Sequence, residues 1–339
     1  MIREQDLNLA LLRASLGTTA QHDPSLSHLR FNLPSGPLRP LLPSLITTNS
    51  RDTSLSTTEV TSFDDLLLGT HLLFTYKVSW PLDLFLHSSD LQIYGHLFSY
   101  LSSLRKTHTR IHTCWTSLSN AQRARRRWTG LGEGGTEADM EARGRLLRCG
   151  WGVVRDMGWF LDTTLSYVMT DVVDVEFRRL KGQLAKPGRS SGKAFDSGKD
   201  ATYLDFTTLR NIHNTYLERL LTGCLLSNPA LTAILRPIFE VCERFVAQIE
   251  RWGGDVLPAL LFEGTLAGDG SNDVGVMVKE RWVIVSEINE VYTSTYDHFE
   301  GVDNGDRPCT HSWKHSMNNY RSRPPNDPSQ QLRTRLNQF

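Results

Sequence analysis

The chain has 339 residues, 39% of them hydrophobic, which is enough apolar material for a sizeable core and excludes a wholly disordered polymer. Lys plus Arg and Asp plus Glu both number 37, so the formal charge is zero. That balance argues against a nucleic-acid partner and fits a protein that lives inside an assembly.

Charges at Arg3, Glu4 and Asp6 precede any apolar run, so the start does not read as a signal peptide. No run approaches the ~20 apolar residues of a membrane helix, and no membrane partner is expected. Leu7, Leu9, Leu11 and Leu12 can form one or two helical turns, after which Pro34, Pro37, Pro40 and Pro43 interrupt helix formation. The Ser/Thr-rich run over 44–62 reads as a flexible linker. We therefore expect a poorly ordered segment over 1–62, a helical domain over 63–300, and a disordered tail over 301–339.

The segments 72–78 (LLFTYKV) and 82–86 (LDLFL) have strand composition and flank Trp80-Pro81, so they predict a short strand pair near 72–86. Ser88, Ser89 and Asp90 offer N-cap oxygens for a first long helix. Its apolar stripe runs Leu91, Tyr94, Phe98, Leu101, Leu104, Ile111, Trp115, Leu118. After a Gly-rich loop at 129–139, Thr136 and Asp139 resemble a capping box. The next helix carries Leu146, Val153, Met157, Phe160, Leu161, Thr164, Val168, Val172 and Phe177. A loop over 186–200 precedes a third helix with Tyr203, Phe206, Leu209, Ile212, Tyr216, Leu217 and Leu220. Asn228-Pro229 opens a fourth, with Leu231, Leu235, Ile238, Phe239, Cys242, Phe245 and Ile249, and Trp252-Gly253-Gly254 ends it. A fifth covers about 274–299, with Val283, Ile284, Ile288, Val291, Tyr292 and Phe299. The predicted fold is mainly α: bundles of long antiparallel helices with the short strand pair attached.

The catalytic signals fail one by one. Gly188 to Lys193 has three residues between its glycines where a phosphate loop needs four, and Ala194 replaces the hydroxyl residue. Gly192 to Lys199 has five. GLGEGG at 130–135 lacks dinucleotide spacing. His108 and His112 share a helix face, but Thr109 stands where a zinc protease needs Glu. Asp269, Ser271, Asp273 and Glu280 follow calcium-loop spacing with Val274 at the obligatory glycine. Five widely spaced cysteines, without a CxxC, read as reduced thiols. We expect no enzyme activity, no cofactor and no metal. The cluster Arg123, Arg125, Arg126, Arg127 remains. It is either a solvated helix end complementing the helix dipole, or a docking patch for an acidic protein surface or a nuclear-import signal.

One set of segments goes beyond pattern: Tyr76-Lys77-Val78-Ser79-Trp80-Pro81-Leu82, then Tyr94, Leu97, Phe98, Leu101, Arg105 and Cys114-Trp115. Trp159-Phe160-Leu161 through Val172 to Phe177 continues it, then Leu209 to His213, Tyr216-Leu217, Cys224-Leu225-Leu226 and Val241-Cys242. Over roughly 63–300 the chain resembles the C-terminal domain of the gamma-tubulin complex component (spindle pole body component) family, closest to a fungal component 4 type. The resemblance implies helical bundles, binding to gamma-tubulin and other complex components, and a non-enzymatic part in microtubule nucleation. It also implies placement at a cytoplasmic microtubule-organising centre or spindle pole body. The family's N-terminal domain for lateral contacts is not expected in the residues that precede Trp80. Trp80 itself reads as an anchor of the strand pair on the first helix, not as a ligand contact. A generic helical adaptor unrelated to tubulin is the alternative.

Overall fold

The computed structural model describes residues 3–34, 36, 63, 65–128, 137–185, 205–254, 256–257 and 271–302. The expected loops over 44–62 and 186–200, the glycine-rich 129–136 and the tail from 303 lie outside them.

Among the described residues, seven α-helices and two strands form the framework: α1 (Glu4–Ser15), β1 (Leu29–Asn32), β2 (Leu73–Tyr76), α2 (Ser88–Trp128), α3 (Glu137–Ser166), α4 (Val175–Ala185), α5 (Phe206–Gly223), α6 (Pro229–Arg251) and α7 (Ser271–Val302). A π-helical segment, Tyr167–Asp174, joins α3 to α4 without a break. Helices α2, α3, α7 and α6 close a ring in which each packs on two neighbours, and α4 pairs with α5 beside it. The protein is mainly α, as expected.

Helix α6 shows how sequence sets this arrangement. Asn228 accepts from the Ala230 amide, and Pro229 occupies the first turn, where its missing N–H costs nothing. All seven residues of its expected stripe are buried. The helix also continues through Pro237, although proline denies the Ala233 carbonyl its usual donor. Packing of the flanking Leu235, Ile238 and Phe239, all fully buried, holds the helix together there. Gly253 and Gly254, both at positive φ, turn the chain out of it.

Helix α2 begins differently from expectation. The carboxylate of Asp90 reaches back to accept from the His87 amide at 3.0 Å, so His87 is the cap residue and Asp90 the third helical residue. Its buried row is Leu97, Tyr100, Leu104, Thr107, Ile111, Cys114, Leu118, at strict steps of three and four. Phe98 faces away from that row onto the sheet, stacked on Phe74 at 4.3 Å. Trp115, placed inside by the sequence reading, is outside and packs edge-on against Trp151.

The strand pair is also rearranged. β2 lies where expected, but it pairs antiparallel with β1, in the register Leu29↔Tyr76 and Phe31↔Phe74. The segment 82–84 is a 3₁₀ turn. Helix α1 is longer than the one or two turns expected and seals the outer edge of β1. Asn8 accepts from the Phe31 amide and Glu4 from the Leu33 amide, both at 2.9 Å. Such side-chain cover protects an edge that would otherwise pair with another chain. The sheet therefore joins residues on the two sides of position 62.

Helix α5 ends in a Schellman motif: the Leu226 amide donates to the Leu221 carbonyl at 2.9 Å and the Leu225 amide to the Thr222 carbonyl at 3.2 Å. The left-handed position holds Leu225, at φ 65°, where glycine is usual. That conformation costs a leucine about 1–2 kcal/mol, and burial of its side chain offsets the cost.

Candidate partner-binding surface

The segments that carry the family resemblance meet in space. The Tyr94 hydroxyl on α2 lies 3.0 Å from Nε2 of His213 on α5, and the Phe85 ring packs 5.1 Å from the same imidazole. Arg210, one helical turn before His213, donates to the Phe85 carbonyl at 3.4 Å and to His87 Nε2 at 2.6 Å. This junction locks α5 to the start of α2. Burial holds the His213 pKa below the ordinary imidazole range; Asp90 pulls it upward and Arg210 downward.

An imidazole whose folded pKa is depressed stabilises the fold above its unfolded pKa of about 6.5, and that contribution is lost as pH falls toward the folded value. We expect the melting temperature of the wild type to fall more steeply below about pH 6.5 than that of His213→Gln, whose amide stays neutral. Parallel pH profiles would show that His213 is not held neutral by this junction.

Trp80 does not anchor the strand pair on α2. It is 79% exposed, and Leu82 and Leu84 beside it are also exposed. The turn that follows, with Leu86 donating to the Leu82 carbonyl at 2.8 Å, directs this knuckle outward instead of folding 82–86 back as a strand.

Arg123, Arg125, Arg126 and Arg127 lie within the last turns of α2, so the helix runs on through the cluster. Their side chains are outside the described residues. Many described cations are already used within the chain. Arg110 pairs with Glu243 and, at 3.0 Å, with Glu250, fastening α2 to α6. Arg236 forks onto Asp65 with two contacts of 2.9 Å and also meets Glu240. Burial pushes the Asp65 pKa up, and the Arg236 guanidinium more than reverses this, leaving it below the usual carboxylate range. Cations spent in this way contribute little to a partner.

His108 places Nε2 2.6 Å from the Asp162 carboxylate, joining α2 to α3. Among the described residues no three His, Cys, Asp or Glu side chains converge as metal ligands. Residues 271–280 are helical, so the calcium-loop spacing does not form a loop. The glycine-rich segments at 130–135 and 188–200 lie outside the described residues. Burial pushes the Cys224 thiol up to about 12, the behaviour of an inert core thiol. Among the described residues no helix is long and apolar enough to cross a membrane.

Phe177, expected in the core, is 53% exposed. The π segment advances the chain by more than four residues per turn, which rotates α4 off the stripe that α3 follows. Sequence periodicity assumes 3.6 residues throughout and misses this rotation.

Among the described residues, a ring of long helices with a two-stranded antiparallel sheet defines a mainly helical bundle domain. Residues 4–337 match the family described as Gamma tubulin complex component C-terminal, and the chain belongs to that family. Among curated proteins it is similar to gamma-tubulin complex component 4 of Arabidopsis thaliana, 25% identical over 256 residues, or 73% of this chain and 31% of that protein. It is similar to the component 4 homolog of Medicago truncatula, 24% identical over 260 residues, covering 73% and 32%. The component 4 protein of Mus musculus is 23% identical over 177 residues, 52% of this chain and 22% of that protein. The chain thus spans about a third of the length of its plant relatives.

Proposed function

We propose that this chain is a non-enzymatic scaffold that binds gamma-tubulin, together with other components of the complex, for microtubule nucleation at a microtubule-organising centre or spindle pole body. The family match over residues 4–337, with relatives named as component 4, is the observation that supports the reading.

The cations at the end of α2 are the proposed contact. A stable complex of this kind buries on the order of 1,200–2,000 Å² or more, with charge confined to its rim. Arg123, Arg125, Arg126 and Arg127 fall on two consecutive turns of one helix and supply four positive charges to such a rim. Each rim charge contributes about 0.5–1 kcal/mol, so the informative variant reverses all four to Glu.

In co-expression with gamma-tubulin the wild type should co-elute with it. The fourfold reversal should bind more slowly, with a weaker salt dependence and an unchanged helical spectrum. Failure of the wild type to co-elute at micromolar concentration would sink the gamma-tubulin reading and leave a generic helical adaptor. Unchanged affinity and salt dependence in the reversal would instead reduce the arginines to a solvated helix end.

A further inference from the structure

An aromatic surface with flanking arginines lies on the outer seam between α2 and α3. Trp115 of α2 is 41% exposed, although its ring meets Trp151 of α3 edge-on at 4.6 Å. Tryptophan and arginine are the side chains most enriched at the energetic centres of protein interfaces. Arg148, Trp151 and Arg155 stand three and four residues apart, so they share one face of α3. Gly152 lies between the two arginines on that face, and a Cβ there would meet nothing within 4 Å.

The chain makes little use of these two cations itself. Arg148 donates to the Gly144 carbonyl at 3.2 Å and pairs with no carboxylate among the described residues. Arg155 meets Asp156 at 3.0 Å, but the two side chains are 71% and 51% exposed, so water and salt weaken the pair. Planar guanidiniums with free donors select carboxylates.

The seam is continuous with the arginines at the end of α2. His108 of α2 meets Asp162 of α3, and Trp115, seven residues later, meets Trp151, eleven residues earlier, so the two helices run antiparallel. Arg123 and Arg126 stand eight and eleven residues beyond Trp115 on the same helical row, about 12–17 Å along the axis. A standard interface covers about 800 Å² of each partner, a patch roughly 30 Å across, so a single partner surface spans both. Cations therefore stand on both sides of the exposed indole along the seam, in the order of a charged rim about an apolar centre.

We propose that Trp115 is the apolar centre of the surface whose rim is the α2 arginine cluster, and that Arg148 and Arg155 extend that rim along α3. The inference rests on the proposed function: the occupant is gamma-tubulin, through an acidic face that sets an apolar side chain against the indole and a carboxylate in the gap over Gly152.

The test measures binding of purified gamma-tubulin to the full chain by biolayer interferometry. Trp115→Ala should weaken binding about thirtyfold or more, chiefly by faster dissociation. Arg148→Glu combined with Arg155→Glu should slow association and flatten its salt dependence. Gly152→Gln fills the gap while leaving every charge and both indoles in place, and it should weaken binding as well. Since glutamine is a better helix former than glycine at an open position, that variant retains its fold, which its melting curve checks. Phe177→Ala removes another exposed ring, on α4, and should bind as the wild type does.

If the wild type binds gamma-tubulin and either Gly152→Gln or a folded Trp115→Ala binds it as tightly, the inference falls while the proposed function stands. Equal losses in Phe177→Ala and Trp115→Ala would also overturn it, because the effect would not belong to this seam. A wild type that binds no gamma-tubulin removes the proposed function and this inference together.

Discussion

Replacing Phe239 by alanine is expected to destabilise the chain by about 3–5 kcal/mol, the largest loss for any single side chain considered. Phe239 is fully buried on α6 and meets two rings from elsewhere: Phe63 at 5.7 Å and Tyr100 of α2 at 6.3 Å, which lie 5.1 Å from one another. Truncation removes the transfer free energy of the ring and leaves a cavity whose walls belong to separate elements. Such walls cannot collapse together without moving a helix. Phe239→Leu keeps most of the volume and should cost far less, about 1–1.5 kcal/mol. Chemical denaturation of the two variants separates the cases. A loss below about 1 kcal/mol for the alanine variant would mean that the three rings do not form one cluster.

Gly223→Ala is expected to destabilise by about 1–3 kcal/mol, opposite in sign to the usual gain when alanine replaces a helical glycine. A Cβ at Gly223 would sit 2.5 Å from one methyl of Val172 and 3.1 Å from the other. Val172 is β-branched, stiff at χ1, and buried in the π segment, so it cannot swing aside. Adding Val172→Ala should restore part of the loss, because the second change removes the methyls that the first one strikes. The double variant should therefore be more stable than the sum of the singles predicts. Gly182→Ala is the control: nothing lies within 4 Å, and stability should rise. A stabilising Gly223→Ala would contradict the close approach of α5 to the π segment.

The parts of the fold that could be read in the sequence were those in which one periodicity holds from end to end. Helix α6 keeps a single apolar row, and its stripe is buried as expected. Helix α2 carries two apolar rows one residue apart, because one side packs on helices and the other on the sheet. The row against the helices includes Thr107 and Cys114, which a hydrophobic scan ranks below Trp115. Strand β2 was legible, but its partner was not, since the alternation of 82–86 is nearer in sequence than Leu29–Asn32. At the α2–α5 junction, Tyr94 and His213 were visible only as members of separate segments. Their hydrogen bond spans 119 positions, and no local pattern encodes it. The arginine cluster was legible as composition alone, and the exposure of Phe177 not at all, because it depends on the rotation introduced by the π segment.

The pairing of β1 with β2 divides the chain's tolerance of length from its tolerance of phase. The residues between Asn32 and Leu73 begin and end on adjacent strands, so they constitute a closed loop. Closing a loop costs only about 0.6 kcal/mol more for each doubling of its length, so the strand pairing itself puts little constraint on the length of this run, whereas Phe63, buried against Tyr100 and Phe239, fixes one point within it. A slip of one residue between the strands is another matter. If β1 slips while β2 holds its place, Phe31 turns outward and Arg30 is presented to Phe98. Related chains can therefore drift in the number of residues they place here while the four paired positions stay in step, and an alignment that forces equal lengths across this run will misplace β1.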